Sequence, residues 1–289
     1  MTEADQPAGG GTLFVVATPI GHLGDISARA IEVLRQVDRI AVEDTRHSGR
    51  LMQHFAISTP MLALHEHNER HLAPALVEQL QAGQSIALIS DAGTPLISDP
   101  GFNLVRLARQ SGVRVVPVPG PSALICALSA AGLATDRFVF EGFLPAKPVA
   151  RRARLEQLAR EPRTLVFYES SHRIVDSLAD MAQVFGESRQ AVLARELTKQ
   201  FETIHQDELG ALQHWVQADS YQQKGEMVVL VEGWSQPDDD SLNAEAERIL
   251  NILMEELPVK TAAKLTARLT GLNKRELYER GVAIKKSDE

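Results

Sequence analysis

Five times in its first half the chain repeats one unit: a short apolar run, a polar loop broken by Gly or Pro, and a helical segment. Thr12 to Ala17 leads into TPIGHLGD and a helix capped by Ser27 that runs to about Val37. Arg39 to Glu43 leads into EDTRHSGRL. Met61 to His65 leads into HEHNE and a helix over His71 to Gln81, with Pro74 expected in its first turn. Ile86 to Ile89 leads into SDAGTPLISDPG and a helix from Gly101 or Phe102 to about Gln110. Arg114 to Val118 leads into PGPS and a helix from Ala123. Strands separated by crossover helices make a parallel α/β sheet. Ile86 to Ile89 is apolar on both faces, as a central strand of such a sheet must be. Open α/β sheets bind ligands at the carboxyl ends of their strands, so Ser90 to Gly101 is the expected binding loop. Asp99 and Pro100 are expected to give the next helix its cap and its preset φ.

The pattern changes near Asp136. Phe138 to Phe143, Thr164 to Tyr168, Ala191 to Glu196, Gln200 to His205 and Met227 to Glu232 read as strands. Helices are expected near Arg151 to Ala159, Ile174 to Phe185 and Asp207 to Gln217. Strands here often follow one another without a crossover helix, which favours a mixed or antiparallel second sheet. Trp234 to Ser241 reads as an acidic linker before helices over Leu242 to Glu256, Pro258 to Thr270 and Asn273 to about Arg280, with a helix–turn–helix outline. The expected organisation is a disordered tail over 1–11, α/β domains over 12–135 and 136–233, and a basic helical domain over 241–289.

Charge limits the function classes. A net charge of −8 over 289 residues argues against coating nucleic acid nonspecifically, which needs many phosphate contacts. Two islands run the other way. Lys147 to Arg163 carries six basic residues against two acidic, and Lys260 to Lys286 eight against two. Basic runs are often solvated helix faces. Two of them on an acidic body also suit a polyanion approached at chosen places, with Lys147, Arg151, Arg152, Arg154, Lys260, Lys264, Arg268, Lys274 and Arg275 as contacts. The lone Cys126 rules out a disulfide within the chain and reads as a small buried hydrophobe. The longest apolar stretch, Ser122 to Leu133, is too short for a bilayer, and the acidic, Gly-rich start does not read as a signal peptide. A cytoplasmic protein without a membrane partner is expected.

Charged clusters recur where strands end: Glu43 to His47, His65 to Asn68, Ser90 to Pro95, Glu169 to Arg173, and Arg195 with Glu196. Several such clusters at equivalent strand ends converge on one cleft. Metal is not expected, because His65 and His67 would face opposite sides of a continuing strand and no third ligand has a suitable spacing. Asp91 before Gly93 and Thr94 is similar to an aspartyl-nucleophile phosphatase loop, but Gly93 stands where that loop needs a second aspartate. A nucleoside-containing ligand is the third reading, although neither GxGxxG nor a Walker loop is present.

Pro19 with Gly21 after the first strand, Asp91 and Thr94 in the long loop, and PGPSA at Pro119 to Ala123 resemble the tetrapyrrole (corrin/porphyrin) methylase superfamily. Within it, AVEDTR, HEHNE, SDAGTPLISDPG, FYESSHR and ARELTKQFE together resemble the ribosomal RNA small-subunit methyltransferase I family. The likeness runs from about Leu13 to Glu232, and the basic tail also matches. Ser171 replaces the expected proline of YESPHR, and Ala194 a common cysteine; neither change removes a charge. The resemblance implies two α/β domains of tetrapyrrole-methylase type with the cofactor cleft between them, plus a small C-terminal helical domain. It implies S-adenosylmethionine as cofactor, with Pro19, Ser90, Asp91, Thr94, Ser122, Ala123, Glu169 and Leu197 at the cofactor positions. The implied reaction is methylation of a cytidine ribose 2′-hydroxyl in 16S rRNA near the decoding centre, by a homodimer; the negative overall charge suits the assembled small subunit as target better than naked RNA.

Such a transfer requires alignment first and then loss of the hydroxyl proton. Glu43, Asp44, His65 and Glu196 are candidate bases, and Arg46, Arg173, Arg195 and Lys199 candidate partners of phosphate or alkoxide. A tetrapyrrole C-methyltransferase, which has no need of the basic tail, and a non-catalytic RNA-binding assembly factor remain the alternatives.

Overall fold

The computed structural model describes residues 10–235 and 240–287. Strands β1 (Thr12–Val16), β2 (Arg39–Val42), β3 (Met61–Ala63), β4 (Ile86–Ile89) and β5 (Arg114–Val118) form one all-parallel sheet in the order β3-β2-β4-β1-β5. β4 is buried at all four positions, as its unbroken apolar run requires. Helices α1 (Ala28–Gln36) and α2 (Thr45–His54) follow β1 and β2, and place Ala30, Leu34 and Met52 on one face of the sheet. Helices α3 (Glu69–Gln81) and α4 (Phe102–Gln110) follow β3 and β4, and place Leu76, Leu80 and Leu104 on the other. Ser27 caps α1 by accepting the Ala30 N–H at 3.1 Å, which satisfies one of the donors orphaned at a helix start.

The second sheet, in the order β6-β7-β10-β8-β9, is mixed. β6 (Phe138–Phe143) pairs parallel with β7 (Thr164–Ser170), and β10 (Glu226–Val231), β8 (Gln190–Arg195) and β9 (Thr203–Glu208) add antiparallel. Helices α6 (Pro148–Leu158), α7 (Ile174–Phe185) and α8 (Leu209–Ala218) contribute to the core on one face. The other face meets α5 (Ala123–Ala130), whose Leu124, Ala127 and Leu128 pack with Val166, Val192 and Val228. This packing accounts for one apolar face of α5; Ile125, on the other, is 54% exposed. Through this shared core the two α/β halves pack into one compact unit ending at Trp234.

The second compact unit holds α9 (Asp240–Glu256), α10 (Val259–Thr270) and α11 (Lys274–Ser287) around Ala246, Leu250, Ala262, Ala263 and Leu277. Gly271, at φ 77°, ends α10 in the left-handed conformation that glycine adopts most readily. Among the described residues no helix is long and apolar enough to cross a membrane.

Several local expectations change. Residues 1–9 of the expected tail, and 236–239 of the acidic linker, lie outside the described residues, but Gly11 is buried and its N–H donates to the Leu80 carbonyl at 2.8 Å. Helix α3 begins at Glu69, so Pro74 lies beyond the first turn, and the bond it cannot make falls on the carbonyl of exposed Arg70. Cys126 is only partly buried. β9 is shifted toward the C-terminus because Arg195 takes the Phe201 carbonyl (3.0 Å) and Thr203 hydroxyl (3.2 Å), organising the preceding loop. Asp99 does not cap α4. Buried Glu69 does that from α3, accepting the Leu104 N–H at 3.0 Å, and Asp99 is left to the cleft.

Candidate active site

β4 lies between β2 and β1, yet its following helix crosses to the face opposite theirs. A sheet opens a crevice where successive connections part in this way. Residues 90–101 fill its rim and are tied to both neighbours. Asp91 Oδ1 accepts the Asp44 N–H at 3.1 Å, beyond β2. Thr18, beyond β1, exchanges both backbone hydrogen bonds with Gly93, at 2.9 and 3.0 Å. The Ser90 hydroxyl donates to the Ala92 carbonyl (3.2 Å), and the Thr94 hydroxyl to the Pro121 carbonyl (3.0 Å). Leu96 and Ser98 sit at φ 74° and 68°, a conformation that side chains other than glycine adopt only under constraint.

Between this rim and the second sheet lies a cleft of about 500 Å³. Asp91, Thr94 and Asp99 line one wall, Tyr168, Leu197 and Met227 the other, and Ser122 with Ala123 open α5 into it. Tyr168 joins the two walls. Its hydroxyl oxygen accepts the Leu124 N–H at 3.2 Å, and its ring meets Phe140 and Phe143 edge-on at 4.9 and 5.7 Å. Burial pushes its phenol above the usual range.

Five carboxylates and no Lys, Arg or His line the cleft among the described residues. Glu169 is neutralised by Arg173 at 2.8 Å and Glu226 by Lys199 at 2.9 Å. Glu43, Asp91 and Asp99 remain as a cluster of like charge. Burial, and then the negative charges of Glu43 and Asp91, push Asp99 up to about 6 against the lowering influence of the nearby Ser90 hydroxyl. Burial and Asp91 likewise raise Glu43. This donor set fits a cationic ligand. Small Ala92, Gly93 and Ala123 leave room for close backbone approach of such a ligand.

The residues expected from sequence divide accordingly. Glu43, Asp91, Thr94, Ser122, Ala123, Glu169 and Leu197 line the cleft. Ser90 lies buried beneath it, and Pro19 stands off the lining. Glu169 presents no free carboxylate, since Arg173, the Ser177 hydroxyl (2.6 Å) and the Ser170 N–H (2.7 Å) hold it inward. Asp44 is spent capping α2, where the N–H groups of Arg46 and His47 hold its carboxyl below the usual range. Exposed Arg46 lies in that first turn. His65 is off the lining, its Nδ1 buried without a partner among the described residues.

Three candidate cations are structural. Arg195 is buried and donates to the carbonyls of Lys224 and Phe201. Arg173 holds Glu169 and the Leu144 carbonyl. Lys199 bridges Glu196 and Glu226, and its charge together with the Glu226 N–H keeps Glu196 ionised, below the usual range despite burial. Arg151, expected to meet a polyanion, is 3% exposed and bonds Asp180 at 2.6 Å; Arg152 joins it, and Arg154 is held by Glu141. Only Lys147 of these four is exposed, while Lys260, Lys264, Arg268, Lys274 and Arg275 all are. Sequence reasoning missed Phe143 and Tyr168 as cleft residues, and gave Asp99, inside the expected loop, only a capping role. The acidic Asp99-Pro100 step and the aromatic of FYESSHR were visible signals, but both read as ordinary structural features.

Comparison with known proteins agrees with this geometry. The model of the tetrapyrrole (corrin/porphyrin) methylases matches residues 12–213, and that of the RsmI C-terminal HTH domain residues 240–285. A "Ribosomal RNA small subunit methyltransferase I" of Pseudomonas aeruginosa is 61% identical, covering 94% of this chain and 97% of its own. Its counterpart in Escherichia coli O157:H7 is 57% identical, over 93% and 94%. Among solved structures, a diphthine synthase aligns with TM-score 0.58 at 17% identity, over 76% of this chain and 90% of its own. A cobalt precorrin-4 methyltransferase aligns with TM-score 0.56 at 16% identity, over 76% and 94%. The chain is a methyltransferase dependent on S-adenosylmethionine, and it belongs to the tetrapyrrole methylases and, among them, to the ribosomal RNA small subunit methyltransferase I family.

Proposed function

We propose that the chain methylates the 2′-hydroxyl of a cytidine in 16S rRNA, within the small ribosomal subunit. The observation that carries this reading over a tetrapyrrole substrate is the cleft's charge: the unpaired Glu43, Asp91 and Asp99, with no basic residue on the lining among the described residues, repel a polycarboxylate. The near relatives are named for ribosomal RNA. The helical unit adds a cationic stripe, since Lys260, Lys264 and Arg268 recur every four residues on α10, which has no acidic residue.

Bound S-adenosylmethionine supplies a methyl group on a positively charged sulfur, open to in-line displacement by oxygen. Asp91, with the backbone around Gly93 and the start of α5, is assigned to hold it. Glu43 and Asp99 are assigned to take the ribose proton. Both are cleft carboxylates raised toward neutrality, and a base works best near the operating pH. Asp44 and Glu196, considered for this role, are already engaged by backbone N–H groups and Lys199. Arg173, Arg195 and Lys199 act through structure, by holding the walls.

A cytoplasmic homodimer acting on assembled subunits completes the reading. Half or more of Phe102, Ile125 and Phe201 is exposed, apolar surface that a second copy would cover. Incubation with labelled S-adenosylmethionine and undermethylated 30S subunits, followed by mapping of the mark, tests the proposal. A label at a cytidine ribose supports it; a label on a tetrapyrrole and none on RNA overturns it.

A further inference from the structure

Strand β6 breaks its regular pairing where it reaches the cleft. Its register against β7 slips between Phe140 and Gly142. Gly142 has φ 64°, and a Cβ there would lie 3.1 Å from the Ser98 hydroxyl oxygen, so the strand approaches the binding rim closely. A bulge re-aims the side chains beside it. The residue that follows is Phe143, which lines the cleft yet is 53% exposed. Its ring is braced edge-on by Tyr168, with planes at 65°, and Tyr168 is itself fixed by the Leu124 N–H and by Phe140. The apolar residues around it behave differently: Ile20, Leu197 and Val228 are buried in the core between the sheets.

The cleft therefore holds one open aromatic side chain in a fixed orientation beside a cluster of carboxylates. Those carboxylates disfavour phosphate, so a nucleotide enters with its neutral parts foremost and its phosphates outside. Unstacked bases are commonly received on aromatic side chains, and enzymes that modify a nucleotide often take it out of its stack. We infer that Phe143 is the stacking platform for the base of the target nucleotide, holding its ribose toward Glu43 and Asp99. This rests on the RNA reading above. The rival occupant is the adenine of the cofactor, which carries a similar flat ring.

Phe143→Ala, Phe143→Leu and Phe143→Trp in the full-length chain separate the possibilities. The Ala and Leu variants should raise KM and the equilibrium dissociation constant for undermethylated 30S subunits by about 5- to 150-fold, the range of one lost stacked base. The Trp variant should stay near wild type, and calorimetric affinity for S-adenosylmethionine should be unchanged in all three. Should Phe143→Ala fail to fold by thermal melting, the Leu variant decides. Unchanged KM in Ala and Leu, with active wild type, overturns the platform while sparing the function. Weakened cofactor affinity in those variants overturns it in favour of adenine. A wild type that leaves RNA unlabelled removes the function itself and the inference with it.

Discussion

The backbone N–H of Asp44 donates to the carboxylate of Asp91 across 3.1 Å, joining the ends of β2 and β4 where their following helices part to opposite faces of the sheet. Asp91 thus serves the fold and the ligand together. An asparagine can still accept the Asp44 N–H, whereas alanine cannot. Asp91→Asn is expected to keep wild-type thermal stability and lose affinity for S-adenosylmethionine, roughly tenfold for one charge-assisted contact. Asp91→Ala should lose affinity and also about 1 kcal/mol of stability. Calorimetry and denaturant titration measure the two effects separately; equal cofactor affinity in Asp91→Asn would show that charge at this position is irrelevant.

Asp99 carries a pH dependence of determinate sign. Its carboxyl is raised in the folded chain from 3.8 to about 6, so between these values the native state binds more protons than the unfolded one. The stability this group contributes is complete below about pH 4 and is lost as pH rises through about 6. Asp99→Asn should therefore melt higher than wild type at pH 7 and equally near pH 4. Activity moves oppositely, because a base must be unprotonated: single-turnover rate should rise with pH through about 6 in wild type. Loss of that step in Asp99→Asn is the expected result, and its survival there would assign the proton to Glu43.

Buried Arg151 bonds Asp180 at 2.6 Å, with Arg152 as the second partner at 3.2 Å. Removing one member of a buried pair strands the other. Arg151→Ala is expected to cost about 3 kcal/mol in denaturant unfolding, while Arg151→Met with Asp180→Leu should come close to neutral. Cofactor affinity should not change in either variant. A selective loss of subunit binding without loss of stability would return Arg151 to the RNA contacts.

These residues also show what a sequence can carry. The unbroken apolar run of Ile86 to Ile89 identified a central parallel strand, and its position implied a ligand at Ser90 to Gly101, because local burial and chain direction decide both. The charge of Arg151 could not disclose its partner, which lies 29 residues away on α7. Asp99 misled for a related reason. Asp-Pro before a helix is a local capping signal, but a distant carboxylate, Glu69, already holds the N–H of Leu104. Tertiary pairing overrides local propensity where a charge is buried, as at Arg151 and Glu69.

Lys260, Lys264 and Arg268 project from α10 without an intervening carboxylate, and Lys274 is exposed at the start of α11. Arg275 is also exposed but bonds Glu279 at 3.0 Å, so its charge is partly answered within the helix. If the stripe meets phosphate, each lost cation removes about one released counterion from the salt dependence of binding. Changing Lys260, Lys264 and Arg268 together to glutamine should lower the slope of log affinity against log salt by roughly 3, with subunit binding weakened most at low salt. Deleting Leu242 to Glu289 should do the same or more while leaving affinity for S-adenosylmethionine intact, because the cleft belongs wholly to the unit ending at Trp234. Filter binding of undermethylated 30S subunits across a salt series reads the slope. An unaltered slope in the triple variant, with full activity in the truncated chain, would make the helical unit a packing element instead of an RNA contact.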